Sequence, residues 1–415
     1  MTTQWTFRYA HRIQAIRSSA IRELLKLTQN PEMISFAGGM PAPELFPVEE
    51  FKAACERVLT KHGQAALQYS TTEGYAPLRE LISGIMAREG VVVKAENILI
   101  TASSQQALDL VAKLLINRGE HVLVESPTYL GAMQAFNVFG PEYMPVPTDD
   151  EGLRPETLEA VLPAGPKFMY ILPNFHNPAG ITLSRNRRRR IVELADRWGV
   201  PIVEDDPYGQ LRYEGEHLPP LIALDAQNLK TVDDYREGNV IYLSTFSKTL
   251  APGLRLGWIA APPDAIGKLC QLKQGADLHT STFTQMVAFE VARDGFLEKH
   301  IEKIRNVYGE RRNLMLEALA EYLPSEVSWT HPAGGLFLWV RLPKGMDSSK
   351  LFDAAVKQNV AFVPGASFFA TPDGDSNRYL RLNFSYMQPN LIVEGIRRIG
   401  VAVKEQMKNL YRDSR

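Results

Sequence analysis

From about residue 97, short β-branched and aliphatic runs alternate with apolar positions spaced for helices. Asn97-Ile98-Leu99-Ile100-Thr101 predicts a strand, after which Ala107, Leu108, Leu110, Val111, Leu114 and Leu115 fall on one helical face. His121-Val122-Leu123-Val124 predicts a second strand, with a helix after Tyr129. Residues 167–172, 201–204 and 240–244 predict three more, and Ile191, Leu194, Ala195 and Trp198 mark a helix between the first two of these. This alternation indicates βαβ units and a mostly parallel sheet covered on both faces. Ligands of such sheets bind beyond the carboxyl ends of the strands. Ser103, Asn177, Asp205 and Lys248 each follow a strand-like run by a few residues. The polar stretch 225–238 reads as an exposed loop.

After residue 296 the pattern changes to a long helix over 296–322, then strands near 327–330 and 335–340. A helix over 351–356, a short strand at 361–363 and a strand over 379–384 follow, which together predict a separate α+β domain.

The 415 residues exceed one small core, and 45% hydrophobic with 22% charged residues is an ordinary globular balance. A formal charge of -1 gives no electrostatic reason to expect nucleic acid or an acidic membrane surface. The one basic run, Arg187-Arg188-Arg189-Arg190, reads as the solvated face of its helix. Cys55 and Cys270 are far apart, with no CxxC and no histidine cluster, so neither a disulfide framework nor a structural metal is expected. No apolar run is long enough to span a bilayer. Arg8, Arg12, Arg17 and Arg22 precede the first acid, Glu23, as in a transit peptide, but Ile13, Ile16, Ile21, Leu24, Leu25 and Leu27 favour a docked amphipathic helix. The expected compartment is the cytoplasm.

The segment Ser244-Thr245-Phe246-Ser247-Lys248 followed by Pro252, Gly253 and Arg255 gathers hydroxyls, a lysine and a guanidinium. Hydroxyls and arginine suit a phosphate dianion, and a lysine amine can form a Schiff base with an aldehyde. Pyridoxal 5'-phosphate carries both groups, and its expected protein signature is a lysine with an acid at the pyridinium nitrogen. Alone, the segment also fits a strand end and turn with one solvated lysine.

Val203-Glu204-Asp205-Asp206-Pro207-Tyr208 supplies the acid. A carboxylate at the end of a buried strand is costly unless paired, and a pyridinium nitrogen would pair with it. Asp205 and Tyr208, three residues apart, can approach one ring; an acidic loop with a helix cap is the alternative. Asn174-Phe175-His176-Asn177-Pro178-Ala179-Gly180 is turn chemistry whose Asn177 amide could donate to a ring oxygen. Ser103 and Ser104 lie at a strand-to-helix junction, where free N–H groups suit a phosphate, although a plain N-cap is equally served.

With these elements in this order, the chain resembles fold-type I pyridoxal-phosphate enzymes, specifically class I aminotransferases. The resemblance covers nearly the whole chain and is closest to the α-aminoadipate and kynurenine aminotransferase II branch. It rests on Ser35-Phe36-Ala37-Gly38-Gly39-Met40-Pro41, Gln68-Tyr69-Ser70, Gly74-Tyr75-Ala76-Pro77-Leu78-Arg79, Gln274-Gly275-Ala276-Asp277-Leu278-His279-Thr280 and Leu380-Arg381-Leu382-Asn383-Phe384-Ser385.

The resemblance implies an α/β fold: a large domain over 47–295 with a mostly parallel seven-stranded sheet between helices, and a small α+β domain over 296–415. Residues 1–46 would form a substrate-covering segment packed on the small domain. It implies that Lys248 carries the cofactor Schiff base and then acts as general base, that Asp205 pairs with the ring nitrogen, and that Asn177 and Tyr208 contact the 3'-oxygen. Ser103, Ser104, Gln105, Thr245, Ser247 and Arg255 would hold the phosphate, and Tyr129 would stack on the ring. Tyr69 would reach the phosphate of the neighbouring subunit, making a homodimer with shared sites. Arg381 would hold the substrate α-carboxylate, with Asn174 near it and Gly39 shaping the pocket. Ser103 stands where glycine is often found and Thr245 where serine is, and both keep a hydroxyl or backbone donor.

The implied activity moves an amino group from 2-aminoadipate, glutamate, or an aromatic or branched-chain amino acid to a 2-oxo acid such as 2-oxoglutarate, by ping-pong kinetics. Arg22 would pair with a distal carboxylate, or else is a helix-surface arginine. Rival readings are a β-lyase or decarboxylase on the same fold and a regulatory domain. For the last, the sequence before residue 30 offers no winged helix.

Overall fold

The computed structural model describes residues 3–16, 32–231 and 234–413. Its central sheet has eight strands, in the order Ile98–Thr101, Gly257–Ala260, Val240–Thr245, Ile202–Asp205, Met169–Ile171, His121–Ser126, Glu142–Asp149 and Gly152–Leu153. The run from Val240–Thr245 to Glu142–Asp149 is parallel, while Gly257–Ala260 pairs antiparallel to both neighbours and Gly152–Leu153 pairs antiparallel at the edge. The two-residue Gly152–Leu153 strand makes the count eight rather than seven. Glu142–Asp149 carries Pro145 and Pro147, which hide it from a propensity reading and which a position beside the sheet edge tolerates.

Strand side chains alternate between two cores. Leu99, Val122, Val124, Tyr170, Val203, Ile241, Leu243 and Ile259 face one. Ile98, Ile100, Leu123, Met169, Ile171, Ile202, Val240 and Ala260 face the other. Burial on both faces explains why these strands read as unbroken apolar runs. Helices Ser104–Leu115, Leu130–Phe136 and Pro263–Gln274 cover the first face. Helices Ala76–Arg88, Arg185–Trp198, Leu221–Asn228 and Thr282–Ala292 cover the second.

A separate four-stranded antiparallel sheet has the order Ser328–Trp329, Phe337–Arg341, Tyr379–Asn383, Val363–Pro364. Helices Phe296–Tyr322, Ser348–Val356 and Pro389–Asp413 accompany it. Ile34–Ser35 pairs in parallel with Val360–Ala361, tying the start of the chain to this part.

Two expectations need correction. Within 225–238, Asp225 and Tyr235 are fully buried, with the Tyr235 hydroxyl donating to Asp225 Oδ2 at 2.6 Å. In the basic run, Arg188 is fully buried, whereas Arg187 and Arg190 pair with Asp149 and Glu159 nearer the surface. Most of the residues expected to form a docked N-terminal helix, Arg22 among them, lie outside the described residues; of the rest, His11–Ala15 forms a short 3-10 turn, with Ile13 and Ile16 exposed. Among the described residues no helix is long and apolar enough to cross a membrane.

Candidate active site

A cavity of about 260 Å³ opens at the carboxyl ends of the central strands, between the large sheet and the small one. Lys248 enters it three residues beyond Val240–Thr245, and its Nζ donates to the Gly39 carbonyl at 2.6 Å. Burial, with Arg381 and Arg255 adding repulsion, lowers its amine to about 8. A minor but useful fraction is therefore neutral near physiological pH.

Asp205 ends the strand Ile202–Asp205 and is 2% exposed. Its Oδ2 accepts from the Tyr170 hydroxyl at 2.7 Å, while Oδ1 is buried with no partner among the described residues. Burial raises its carboxyl to about 7, against the lowering effect of the Tyr170 hydrogen bond. Tyr208 follows on the same turn, edge-on to Phe337 with ring centres 5.9 Å apart, and burial pushes its phenol well up.

Arg381 projects from the middle of Tyr379–Asn383 and is 1% exposed. Its guanidinium lies 4.2 Å from the Phe337 ring centre and 5.0 Å from that of Phe368. One amino group donates to Asn177 Oδ1 at 2.8 Å and the other to the Ala37 carbonyl at 2.6 Å, which leaves Nε without a partner among the described residues. Burial lowers its pKa to about 10, so the charge persists at neutral pH.

The opposite end of the cavity is a cradle of donors. Ser104 and Gln105 start the helix Ser104–Leu115, whose first N–H groups point into it. Ser103 turns the chain there at φ 83°, a conformation that favours glycine, and its buried Oγ has no partner among the described residues. Gly257 makes room, since a Cβ on it would sit 2.7 Å from the Ser104 nitrogen. Thr245 Oγ1 donates to the Leu256 carbonyl at 2.8 Å and lies 2.9 Å from Ser247 Oγ; Arg255 sits beside them on a left-handed turn. Tyr129 forms a side wall, and a Cβ on Gly131 would strike its ring at 2.5 Å.

Of the residues singled out in the sequence, Gly39, Ser103, Ser104, Gln105, Tyr129, Asn177, Asp205, Tyr208, Thr245, Ser247, Lys248, Arg255 and Arg381 line one cavity. Asn174 does not line it: its amide is spent on Arg188 and Asp206. Tyr69 lies elsewhere and is 79% exposed, edge-on to His279. Arg22 is outside the described residues. Tyr170 and Phe337 were missed because their relation to the site comes from strand pairing and from the second sheet. For Tyr170 the signal was its place in the apolar run preceding the Asn177 turn.

The cavity presents an unpaired carboxylate oxygen at one end and anion-binding donors at the other. It therefore fits a group with a protonated ring nitrogen and a phosphate, as pyridoxal phosphate has.

Comparison with known proteins agrees with this geometry. The sequence profile of the family described as aminotransferase class I and II matches residues 32–399. Aromatic-amino-acid aminotransferase 1 of Thermococcus litoralis is 46% identical over 96% of this chain and 95% of its own length. The structure of LysN, the α-aminoadipate aminotransferase of Thermus thermophilus, complexed with N-(5'-phosphopyridoxyl)-L-leucine, superposes with a TM-score of 0.90 at 43% identity, over 98% of this chain and 100% of that one. Pyrococcus horikoshii kynurenine aminotransferase, solved with PMP, gives 0.90 at 44% identity, over 97% and 98%.

Proposed function

The chain belongs to the class I and II aminotransferases and is a pyridoxal-phosphate-dependent aminotransferase, and we propose that it serves acidic, aromatic and branched-chain amino donors through one site. The observation that carries the site assignment is that Lys248, the unpartnered Asp205 oxygen and Arg381 face one cavity.

Bound there, pyridoxal phosphate supplies an aldehyde that takes up the amino group and a ring that accepts the electron pair left at the α-carbon. Asp205 would hold a proton on the ring nitrogen through Oδ1, while Tyr170 fixes Oδ2. The Ser104 and Gln105 N–H groups, Ser247, Thr245 and Arg255 would bind the phosphate. Arg381, sandwiched between Phe337 and Phe368, would take the substrate α-carboxylate, and its bond to Asn177 couples that carboxylate to the ring edge. Tyr208 and Asn177 would orient the ring, with Tyr129 against its face.

Lys248 Nζ would take the proton from the α-carbon and deliver it across the nitrogen to the cofactor's C4' carbon, which needs a neutral amine. Its lowered pKa, set chiefly by burial, supplies one near pH 8. Water releases the donor as its 2-oxo acid, and a second 2-oxo acid such as 2-oxoglutarate then takes the amino group and leaves as the amino acid, so turnover would be ping-pong.

Tyr69, largely exposed on the single chain, would complete the phosphate site of a partner, which makes the working unit a homodimer. Two free cysteines and the absence of a membrane-crossing helix among the described residues suit a cytoplasmic enzyme. Breadth of donor is favoured by relatives named for aromatic, aminoadipate and kynurenine transfer.

The test is a panel of half-reactions. Loss of the bound cofactor's visible absorbance is followed with 2-aminoadipate, glutamate, leucine, phenylalanine and kynurenine, then its return with 2-oxoglutarate. Arg22→Ala should slow the two acidic donors more than leucine or phenylalanine. Equal losses would remove Arg22 from the site, and pyruvate with ammonia formed from cysteine conjugates without an acceptor would point to a lyase.

A further inference from the structure

Arg188 is among the largest fully buried side chains, although it lies in a run of four arginines. Three of its four hydrogen bonds go to backbone carbonyls. Nε donates to Leu183 at 2.9 Å, one amino group to Pro219 at 3.0 Å and the other to Pro173 at 2.8 Å. The fourth, at 2.6 Å, goes to the Asn174 amide oxygen. Asn174 passes the contact on, donating from Nδ2 to Asp206 Oδ1 at 3.0 Å. Asp206 is held further by the Gly209 N–H at 2.8 Å and the Tyr242 hydroxyl at 3.2 Å.

The two loops joined this way are the ones that face the cofactor cavity. Pro173 and Asn174 begin the turn that carries Asn177; Asp206 stands between Asp205 and Tyr208. On the cavity side the two loops meet only at their tips, where Tyr208 and Asn177 interact and Arg381 holds Asn177; Arg188 and Asn174 join them from behind. A buried guanidinium is costly unless it is hydrogen-bonded and its charge is paired. Here the donors are used to clamp loop backbone, and the positive charge faces Asp206 and Glu204 rather than solvent. Four of the five N–H donors of Arg188 and both amide atoms of Asn174 are engaged within the fold, and neither residue lines the cavity.

Resting on the aminotransferase reading above, we propose that Arg188, through Asn174 and Asp206, is a positioning residue that sets the Asn177 and Asp205–Tyr208 loops against the two edges of the cofactor ring. Asn174 acts as the relay in that brace and not as a substrate ligand. Displacement of a reacting group by about 1 Å can cost about 100-fold in rate, which gives such a brace its leverage.

The experiment uses the cofactor-loaded protein and two substitutions. Asn174→Ala breaks the relay while leaving the backbone contacts of Arg188 in place; Arg188→Lys keeps the charge but cannot span four acceptors. The expected Asn174→Ala protein binds pyridoxal phosphate about tenfold more weakly, as for one lost hydrogen bond to a charged group. Its bound-cofactor absorbance and visible circular dichroism are shifted, and kcat falls with KM for amino donors within about twofold of wild type. Arg188→Lys should show the same spectral change in smaller degree; if that variant does not fold, Asn174→Ala alone decides. Unchanged affinity and spectra with a raised KM for every donor would make Asn174 a substrate ligand and overturn the brace, as would wild-type values throughout. A wild-type protein that fails to bind cofactor or transfer an amino group would instead overturn the parent reading.

Discussion

Replacing Asp205 by Asn should flatten the pH dependence of stability of the cofactor-free protein. Burial raises the Asp205 carboxyl from its ordinary 3.8 to about 7, against the Tyr170 hydrogen bond and with help from the Asp206 charge. A carboxyl whose folded pKa exceeds its unfolded value binds more proton when folded. Its contribution is fully present below 3.8 and is lost as pH rises through about 7. Over about pH 5 to 7.5 that loss amounts to about 2 to 3 kcal/mol, at 1.36 kcal/mol per unit. Asparagine keeps an acceptor for the Tyr170 hydroxyl and removes the charge. Glu204 and Asp206 are also raised by burial and tilt both proteins the same way, so the difference between the two curves isolates Asp205. Urea denaturation of both cofactor-free proteins at several pH values reads it directly. Saturating pyridoxal phosphate should remove the wild-type slope, because the ring N–H then pairs with Oδ1. Parallel stability curves for wild type and Asp205→Asn would refute the claim that a buried, unpaired carboxylate waits for the ring nitrogen.

Arg381→Ala should raise KM for every amino donor by about 100-fold in steady-state assays, since it removes a bidentate carboxylate partner from a buried site. A donor-dependent loss would move α-carboxylate binding elsewhere. Gly257→Ala would place a Cβ 2.7 Å from the Ser104 nitrogen and push the helix start away from the phosphate. Overpacking of this kind costs about 1 to 3 kcal/mol, and cofactor affinity measured by titration should fall about tenfold or more; unchanged affinity would mean that the cradle is not there.

Much of the site was legible because its parts lie on short local segments at strand ends. Lys248 with Thr245, Ser247 and Arg255 spans one strand end and turn, Asp205 and Tyr208 another, and a parallel sheet puts such ends on one edge. What escaped depends on the fold itself. Arg188 sat in a basic run, yet it lies three, four and seven residues before Ile191, Val192 and Ala195, on the buried stripe of its helix. That spacing marked it as a buried guanidinium needing partners. Asn174 looked equivalent to Asn177 three residues on, and only the folded turn sends one amide into the cavity and the other to Arg188. Tyr235 looked like loop polarity until its hydroxyl was seen to satisfy Asp225. The Glu142–Asp149 strand was hidden by its two prolines. Tyr69 stays outside the cavity and is largely exposed on the single chain.

The most direct test of the account is Lys248→Ala loaded with pyridoxal phosphate and mixed with an amino donor and 2-oxoglutarate. On the proposed reading Lys248, whose amine is lowered to about 8, moves the α-proton. The variant should therefore still bind the cofactor in the Ser104–Arg255 cradle and against Asp205, but form no glutamate. Wild type under the same conditions should cycle its visible absorbance with each substrate in turn. Glutamate formation by Lys248→Ala at the wild-type rate would contradict the account.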